Sequence, residues 1–299
     1  MRVLVTGGGG FIGSSVIANL LTNGHHVVAA DRGADHIDRI VGKFPGVSVV
    51  PIDLSNAQRV ASLLRDTEPE ALVHLAWYAN PVDYLVSHAN LAALSMTNTL
   101  VEASLAAGCR KIVIGGSCAE YDVYDRLMVE NDRVAPRSLY AACKLAAYQV
   151  ADVLAREVGA ELAWARIFHI HGPGEDPRRL VPYVASQLRK GLPVELTDGT
   201  QIRDQLHVSD VASALVTLLT PGASGVYNVC SGEPISLRQV LETVADFCGD
   251  KTLLKFGVKP HRPNETKFLA GDSRRLRSLG WSPRFGFRDG LRDALRQYL

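Results

Sequence analysis

The sequence predicts an α/β protein, in which a doubly wound parallel sheet carries a second, smaller mixed α/β lobe. Three observations support this fold class. Short apolar strand patterns alternate with helical patterns as far as residue 168. A run of four glycines, residues 7–10, separates the first strand from the first helix. After residue 168 the alternation stops, and a glycine- and proline-rich segment follows, with Gly172, Pro173, Gly174, Pro177 and Pro182.

The alternation can be followed element by element. Residues 1–6 are a β-branched run that stops at glycine, as a buried parallel strand does. A helix is predicted next, because apolar residues recur at helical spacing until Asn23-Gly24, which can end it. Further strands are predicted at 25–30, 47–52, 71–75, 111–114 and 161–168, which makes six in the sheet. Further helices are predicted after Ser55 and at 82–107, 137–158, 209–219 and 237–247.

The first loop carries the strongest signal for a ligand. Residues 6–13 read Thr-Gly-Gly-Gly-Gly-Phe-Ile-Gly. Glycine permits a sharp turn and a close approach to a pyrophosphate, and the helix N-terminus offers unpaired N–H groups. The glycines fit two registers, G-x-G-x-x-G and T-G-x-x-G-x-x-G. Both predict a Rossmann-type dinucleotide-binding domain over residues 1–168, onto which residues 204–230 of the smaller lobe pack back. The predicted contacts are Gly7, Gly10, Phe11, Ile12 and Gly13.

Residues at the ends of the next two strands indicate which dinucleotide binds. Asp31 ends the second strand, where a carboxylate accepts hydrogen bonds from the adenosine ribose and repels a 2′-phosphate. NAD is therefore the predicted cofactor. Arg32 follows, and it could stack on adenine, pair with a 2′-phosphate or be a plain surface cation, so NADP stays open. Asp53 ends the third strand and could contact the adenine amino group or cap the helix near Ser55.

Tyr140 and Lys144 form a Y-x-x-x-K pair in a predicted helix. Residues i and i+4 share a helix face, so the ammonium can lower the phenol pKa from about 10 toward neutrality. Ser117 ends the fifth strand, at the sheet edge where such folds place their sites. Taken together the three predict a catalytic group, whereas the pair alone would also suit a buried tyrosine and a solvated lysine.

With these motifs the chain resembles an extended short-chain dehydrogenase/reductase of the nucleotide-sugar epimerase and dehydratase branch, over nearly its whole length. T-G-x-x-G-x-x-G is the cofactor motif of that branch. The resemblance implies Ser117, Tyr140 and Lys144 as the catalytic trio, with Lys144 also binding the nicotinamide ribose. The further cofactor contacts that it implies are Asp53, Leu54, Leu75 and Ala76.

The smaller lobe, predicted over residues 169–299, carries two arginine elements of the same family. Arg203 opens a segment that resembles R-D-x-x-x-V-x-D, whose arginine holds the substrate diphosphate, and Arg262 lies in a second such element. His169 stands where many relatives have an asparagine that helps to hold that diphosphate. The resemblance thus implies that His169, Arg203 and Arg262 bind a nucleotide sugar. For either arginine alone, a surface salt bridge is an equally good explanation.

Departures from the family pattern narrow the predicted chemistry. Sugar-nucleotide 4,6-dehydratases of this branch carry Asp-Glu directly after the catalytic Ser or Thr, but this chain has Cys118-Ala119, so dehydration is not expected. Residues 116–122 look more like reductases of 4-keto-6-deoxy sugar nucleotides than like galactose epimerases. The predicted enzyme is an NAD(P)-dependent 4-epimerase or 4-ketoreductase of a nucleotide-linked hexose, with a deoxy sugar favoured. A reductase of a non-sugar carbonyl and a non-enzymatic dinucleotide sensor are the alternatives.

Composition argues against several other classes. The chain has 32 basic and 31 acidic side chains and a net charge of +1, so neither nucleic acid nor a membrane is an expected partner. Residues 3–30 lack charge, but the glycine run argues against a targeting or membrane segment. H-E-x-x-H is absent, and no metal site is predicted. Five cysteines without a C-x-x-C pair predict a reduced, cytoplasmic compartment.

The long helical pattern at residues 82–107 predicts an interface. It carries no Asp, Glu, Lys or Arg between residues 84 and 101, although a helix on a sheet needs only one apolar stripe. Relatives commonly pair this helix and the Y-x-x-x-K helix with their twofold mates, so a homodimer through a four-helix bundle is predicted. A monomer with exposed alanine-rich faces is the alternative. The alanines predicted to allow close approach are Ala141, Ala142, Ala146, Ala147 and Ala151.

Overall fold

The main body of the protein is a parallel sheet with helices on both faces, seen in a computed structural model that describes residues 1–261 and 265–299. Within the described residues its strands are β1 (Arg2–Thr6), β2 (His26–Asp31), β3 (Ser48–Pro51), β4 (Ala71–His74), β5 (Lys111–Ser117), β6 (Glu161–Ile167) and β10 (Gly225–Val229). They lie in the order β10-β6-β5-β4-β1-β2-β3, and each neighbouring pair is parallel. The predicted α/β class with a doubly wound sheet is confirmed.

Two layers of helices cover this sheet. They are α1 (Phe11–Thr22), α2 (Ala34–Lys43), α3 (Ala57–Thr67), α4 (Ala89–Ala106), α5 (Leu139–Glu157) and α7 (Val208–Thr217). Alternate residues of each strand point to opposite layers, so Val3 and Val5 pack with α1, α2 and α7, whereas Leu4 packs with α3, α4 and α5. Both faces of the sheet are therefore buried, which is why its strands read as apolar runs.

The smaller lobe has its own sheets and core. Its strands are β7 (His169–His171), β8 (Val194–Glu195), β9 (Ile202–His207), β11 (Pro234–Ser236), β12 (Leu254–Lys255) and β13 (Phe268–Leu269), and its helices are α6 (Leu180–Arg189), α8 (Leu237–Cys248), α9 (Arg274–Arg277) and α10 (Phe287–Ala294). β9 is central, pairing with β7, β11 and β13, and β8 pairs with β12. The lobe leaves the main sheet at the carboxyl end of β6, so it lies over the edge where β5 also ends.

Several predicted elements differ from those observed. The helix predicted from residue 82 begins only at Ala89, because Asn80 accepts main-chain hydrogen bonds that fold residues 81–86 into turns. α2 was not predicted, although its apolar residues Ile37, Ile40 and Val41 recur at helical spacing. Within the described chain the sheet also has a seventh strand, β10, which was not predicted. It follows β7, β8 and β9 of the smaller lobe in the sequence, so it lies outside the strand–helix alternation that ends at residue 168.

The alanine-rich face of α5 also differs from its predicted role. Ala141, Ala147 and Ala151 are buried within the chain itself, and the last two belong to the core between α5 and the sheet. Only Ala142 and Ala146 keep solvent exposure. The expectation that all five alanines face a partner is therefore wrong for the three buried ones.

Other sequence expectations concern membranes, metals and thiols. None of the helices in the described ranges has both the length and the apolar character that crossing a bilayer requires. Over the same residues, no cluster of three or more His, Cys, Asp or Glu side chains is arranged to hold a metal ion. The five cysteines are buried free thiols.

Candidate active site

A glycine loop, residues 7–10, joins β1 to α1 at the carboxyl edge of the sheet. Gly7 has φ of +69°, and a Cβ on it would lie 2.8 Å from the main-chain nitrogen of Ala76. A Cβ on Gly13 would overlap the carbonyl oxygen of Gly7. Neither position can carry a side chain without displacing the main chain, so the structure favours the T-G-x-x-G-x-x-G register.

The start of α1 completes this loop. Gly10 is the N-cap of the helix, and its main-chain N–H donates to the carbonyl oxygen of Gly7 at 3.1 Å. Phe11, Ile12 and Gly13 follow as the first turn, whose N–H groups have no partner inside the helix. These groups and the helix dipole give the loop the character of an anion-binding site.

Asp31 ends β2 beside the glycine loop and is almost fully buried. Its carboxylate accepts hydrogen bonds from the main-chain N–H of Gly9 at 3.1 Å and of Arg32 at 2.8 Å, and lies 3.1 Å from Nδ1 of His36. Two carboxylate oxygens offer about four lone-pair sites. Oδ1 also accepts from the main-chain N–H of Gly33 at 3.4 Å, whereas Gly9 is the one partner of Oδ2 among the described residues. Asp31 therefore holds the loop in place, and Oδ2 keeps capacity for a further donor.

Asp53 and Leu54 follow β3 on the same edge. Asp53 is exposed, and the main-chain N–H of Ser55, 3.0 Å from its carboxylate, lowers its pKa, with a smaller contribution from the charge of Arg32. Leu54 is buried in the core. The contact that the structure gives Asp53 is thus the turn that leads into α3, and its adenine contact stays a prediction.

His74, Leu75 and Ala76 pass from β4 to the far side of the glycine loop. His74 is fully buried, with Nδ1 2.6 Å from the Thr6 hydroxyl and Nε2 2.9 Å from the Thr97 hydroxyl. The Thr97 hydroxyl donates to a main-chain carbonyl, so Nε2 of His74 carries the proton and Nδ1 accepts. Burial lowers the pKa of His74 to about 3, and a neutral ring therefore ties β1 to α4.

α5 places Tyr140 and Lys144 one turn apart over the end of β5. The Ser117 hydroxyl, at that end, lies close enough to the Tyr140 phenol to act on its pKa. The Lys144 ammonium is buried, donates to the carbonyl oxygen of Gly115 at 2.6 Å and lies 3.8 Å from the centre of the Trp77 ring. The three residues predicted to be catalytic therefore converge in space.

Burial pushes both titrating groups of this trio toward their neutral forms. It raises the pKa of the Tyr140 phenol, against the effect of the nearby Ser117 hydroxyl, and it lowers the pKa of Lys144 to about 7, against the charge of Glu120. The sequence predicted that Lys144 would lower the pKa of Tyr140 toward neutrality. The structure shows the opposite direction, because the ammonium bonds to Gly115 and desolvation dominates at the phenol.

His169, on β7, and Arg203, on β9, bring the smaller lobe to the same edge. Arg203 is buried, and its guanidinium lies 3.7 Å from the carboxylate of Glu265. Burial, together with the charges of Arg203 and Arg179, lowers the pKa of His169 to about 3. Nδ1 of this neutral ring has no hydrogen-bond partner within the described residues. Arg262 lies outside the described residues.

Cys118 connects the two halves of the site. Burial raises the pKa of its thiol to about 12, and the nearby charge of Arg203 works in the other direction. The next residue is Ala119. A neutral thiol and a methyl group cannot act as an acid and a base, so these positions do not provide the pair that dehydration requires.

Two groups of residues at this site were not predicted from the sequence. Trp77 and Tyr84 both pack edge-to-face on the Tyr140 ring, with centroids 6.4 and 5.0 Å away. Trp77 directly follows His74-Leu75-Ala76 in the sequence. An aromatic residue next to this predicted cofactor segment was the signal that could have identified Trp77 as part of the site.

The second missed group lies beneath Ser117. The Glu120 carboxylate accepts hydrogen bonds from Arg166 at 2.8 Å, from the Trp164 indole at 3.0 Å and from the main-chain N–H of Ser117 at 2.8 Å. The Glu120 side chain is fully buried and that of Arg166 is 3% exposed. This ion pair supports the main chain at the end of β5.

Comparison with known proteins decides the family. Residues 3–230 match the family model described as the NAD-dependent epimerase/dehydratase family. The chain belongs to this NAD-dependent epimerase/dehydratase family. It is 30% identical to the UDP-glucose 4-epimerase of Azospirillum brasilense, over 98% of this chain and 91% of that protein.

Solved structures of the family have the same fold. The UDP-glucose 4-epimerase of Thermus thermophilus, in complex with NAD, is 29% identical with a TM-score of 0.88, covering 100% of this chain and 99% of its own. MoeE5, in complex with UDP-glucose and NAD, is 30% identical with a TM-score of 0.86, covering 99% of this chain and 98% of its own. The predicted resemblance to nucleotide-sugar epimerases and dehydratases is confirmed.

NAD is the cofactor of the NAD-dependent epimerase/dehydratase family, and the residues of this site fit it. The glycine loop leaves open the space that a Cβ on Gly7 or Gly13 would need, next to the free N–H groups of α1. Asp31 stands at the end of β2, where the fold places the adenosine ribose.

Proposed function

We propose that the protein oxidises and reduces C4 of a hexose linked to a nucleoside diphosphate, as a 4-epimerase or a 4-ketoreductase. The observation that carries the proposal is the convergence of Ser117, Tyr140 and Lys144 with His169 and Arg203 at one edge of the sheet. UDP-glucose 4-epimerases among the relatives support a nucleotide sugar as substrate. The neutral Cys118 thiol and Ala119 argue against 4,6-dehydration.

Each residue of the trio has a role in proton transfer. Tyr140 gives a proton to, or takes one from, the oxygen on C4, and its raised pKa keeps the phenol protonated and ready to donate to a keto oxygen. Ser117, whose hydroxyl lies near that phenol, steadies the same oxygen. Lys144, whose buried ammonium lies at the end of β5, is proposed to hold the nicotinamide ribose. NAD, when bound, supplies the hydride acceptor and donor.

We propose that the smaller lobe, residues 169–299, holds the diphosphate. A buried guanidinium at Arg203 forms strong paired hydrogen bonds to phosphate oxygens, and Nδ1 of His169 is free to take part. Arg262 is proposed as the second guanidinium.

Residues 1–168 are proposed to bind the cofactor, with α7 and β10 of the segment 204–230 packed onto them. The pyrophosphate would lie on the glycine loop, the adenosine at Asp31 and the Arg32–Asp53 edge, and the nicotinamide near Lys144. The proposed contacts are Gly7, Gly10, Phe11, Ile12, Gly13, Asp31, Arg32, Asp53, Leu54, Leu75, Ala76 and Lys144.

Ligand-induced stabilisation tests the substrate class. UDP-, GDP-, CDP- and dTDP-hexoses are added singly with NAD, and the apparent Tm is followed, since a ligand that binds the folded state raises it. At least one nucleotide sugar should raise Tm, and Arg203→Ala should lose that rise while keeping the rise due to NAD. If no nucleotide sugar stabilises the protein, or Arg203→Ala keeps the full effect, the proposed substrate class is wrong.

The reaction type follows from cofactor stoichiometry. A 4-epimerase returns the hydride to the sugar, so catalysis runs with NAD in trace amounts. A 4-ketoreductase consumes one reduced cofactor per turnover. Product analysis by NMR with the stabilising sugar and its 4-keto derivative, at limiting and at excess cofactor, separates the two.

We expect Asp31→Ala to weaken NAD more than NADP. Loss of the carboxylate removes the proposed ribose contact, which NAD alone needs, whereas the damage to the glycine loop affects both dinucleotides alike. Dissociation constants from calorimetry give the ratio. Asp31→Asn, which keeps an acceptor oxygen for Gly9, is the control for loop damage. An unchanged ratio in Asp31→Ala would show that Asp31 does not contact the ribose.

A homodimer through α4 and α5 is the proposed assembly. Apolar side chains project from both helices, with Leu91 50% exposed on α4 and Val153 47% exposed on α5. A twofold interface presents each of them twice. We expect the parent to have about twice its chain mass of 32.3 kDa by light scattering. Leu91→Glu and Val153→Glu should reduce it to one chain, and Val41→Glu, on α2 and equally exposed, should not. A parent that is monomeric at micromolar concentration contradicts the dimer.

A further inference from the structure

We propose that Trp77 is a positioning residue, whose indole face holds the Lys144 ammonium and whose ring edge packs against Tyr140. The inference rests on the proposed function, because Trp77 acts only through these two side chains. It goes beyond the trio itself, since it identifies what keeps the ammonium and the phenol in their relative places.

The contact between Trp77 and Lys144 has the geometry of a cation–π interaction. Nζ of Lys144 lies 3.8 Å from the ring centre, well inside the range of about 6 Å in which such contacts are attractive. An ammonium has three N–H donors, and the carbonyl oxygen of Gly115 takes one of them at 2.6 Å. Lys144 is 5% exposed, so water solvates the charge poorly. The indole face replaces part of that missing hydration.

The Trp77 ring is itself held in one orientation. Its Nε1–H donates to Oδ1 of Asn90 at 2.8 Å. Asn90 is completely buried, and its side-chain amide donates to the carbonyl oxygens of Tyr84 at 2.7 Å and of Ser87 at 2.8 Å. Every polar group of the indole and the amide is thus engaged, which fixes the plane of the ring over the ammonium.

The same segment also holds Tyr140. The Trp77 and Tyr140 rings meet edge-to-face at 86°, and Tyr84 meets the other part of the Tyr140 ring at 79°. The main-chain N–H of Tyr140 donates to the carbonyl oxygen of Leu85 at 3.1 Å. Trp77 is the one residue of this group that contacts the phenol ring and the ammonium together.

Other groups around Lys144 set its charge balance. Glu120, in the turn that follows β5, favours the ammonium, although Arg166 neutralises that carboxylate. His74 faces Lys144 from β4 and is neutral, and Tyr140 stays protonated. The indole is the contact that favours the charged amine without titrating. Removal of the indole should move the high-pH limb of activity, where Lys144 loses its proton, down by about half a unit to one unit.

Three variants test the inference through the pH dependence of kcat/KM. Trp77→Leu should show the downward shift of the limb together with a loss of turnover of about tenfold. Trp77→Phe keeps an aromatic face, so its high-pH limb should lie close to that of the parent. Tyr84→Leu removes the other ring that packs on Tyr140 and leaves the contact between Trp77 and Lys144 intact. Its high-pH limb should therefore stay where it is in the parent. If Trp77→Leu leaves the limb where it is, the inference is wrong.

Tryptophan fluorescence tests the same contact without an activity assay and without the Trp77→Leu variant. The difference in emission between the parent and Trp77→Phe should titrate near pH 7, where the pKa of Lys144 lies, and Lys144→Met should abolish that titration. An emission that does not titrate, or that titrates equally in Lys144→Met, overturns the contact. If Tyr140→Phe and Lys144→Met both keep full turnover, the proposed function fails instead, which separates the two failures.

Discussion

Tyr140→Phe is expected to lower turnover by about 10²-fold or more while NAD affinity stays within twofold of the parent. The variant removes only the phenolic oxygen, which lies near the Ser117 hydroxyl and is the proposed proton donor to the oxygen on C4. The ring remains, so its edge-to-face contacts with Trp77 and Tyr84 persist and the site keeps its shape. Steady-state kcat on the stabilising nucleotide sugar and calorimetric titration of NAD measure the two quantities.

Tyr84→Phe is the matched control for this prediction. It deletes the same atom from a tyrosine whose ring lies 5.0 Å from that of Tyr140, so a general effect of losing a hydroxyl in this cluster would appear in both variants. Turnover in Tyr84→Phe should stay within about threefold of the parent. Near-normal turnover in Tyr140→Phe, or an equal loss in both variants, would remove Tyr140 from the proposed proton-transfer role.

The parallel sheet was predictable from sequence because its strands are buried on both faces. A strand such as β4, Ala71–His74, has no exposed residue, so it reads as an unbroken apolar run between polar loops. α2, in contrast, was not predicted from the sequence. Only Ile40 among its ten residues is buried, so the helix contributes little to the core. Its apolar residues Ile37, Ile40 and Val41 nevertheless recur at helical spacing, and this signal was overlooked.

The candidate site was predictable only where its geometry is local. The i, i+4 spacing of Tyr140 and Lys144 is set by the helix, and the turn at Gly7 is set by the backbone, so both were found from residue types alone. The pairing of Glu120 with Arg166 joins residues 46 positions apart. The contact of Trp77 with Lys144 likewise crosses from the end of β4 to α5. Such contacts depend on how elements pack, which no local pattern encodes.

The direction of the Tyr140 pKa shift illustrates the same limit. Spacing places a positive charge one helical turn from the phenol, which predicts a lowered pKa. Packing decides instead, because desolvation of the phenol dominates and the ammonium is drawn to Gly115 and Trp77. A charge one helical turn from a titrating group shifts the pKa of that group only if the charged side chain is not drawn away by its own hydrogen bonds.

Glu120→Ala is expected to lower the free energy of unfolding by about 3–5 kcal/mol, with a fall in Tm of roughly 10 °C. Alanine would leave the buried guanidinium of Arg166 without its counter-charge and would strip the Trp164 indole and the Ser117 main-chain N–H of their acceptor. Each unpaired buried group adds a desolvation penalty. Denaturant unfolding followed by far-UV circular dichroism gives the free energy, and calorimetry gives Tm.

Two further variants distinguish a structural role of the Glu120–Arg166 ion pair from a role in positioning Ser117. Asp152→Ala breaks an exposed i, i+4 pair with Arg156 on α5 and should cost at most about 0.5 kcal/mol. The double variant Glu120→Leu with Arg166→Met should recover most of the stability, because apolar side chains of similar volume often replace a buried pair without loss. Its turnover should stay low, since the Ser117 N–H still lacks an acceptor and the end of β5 is no longer fixed beneath Tyr140. Full recovery of turnover would mean that Glu120 stabilises the fold and does not position Ser117.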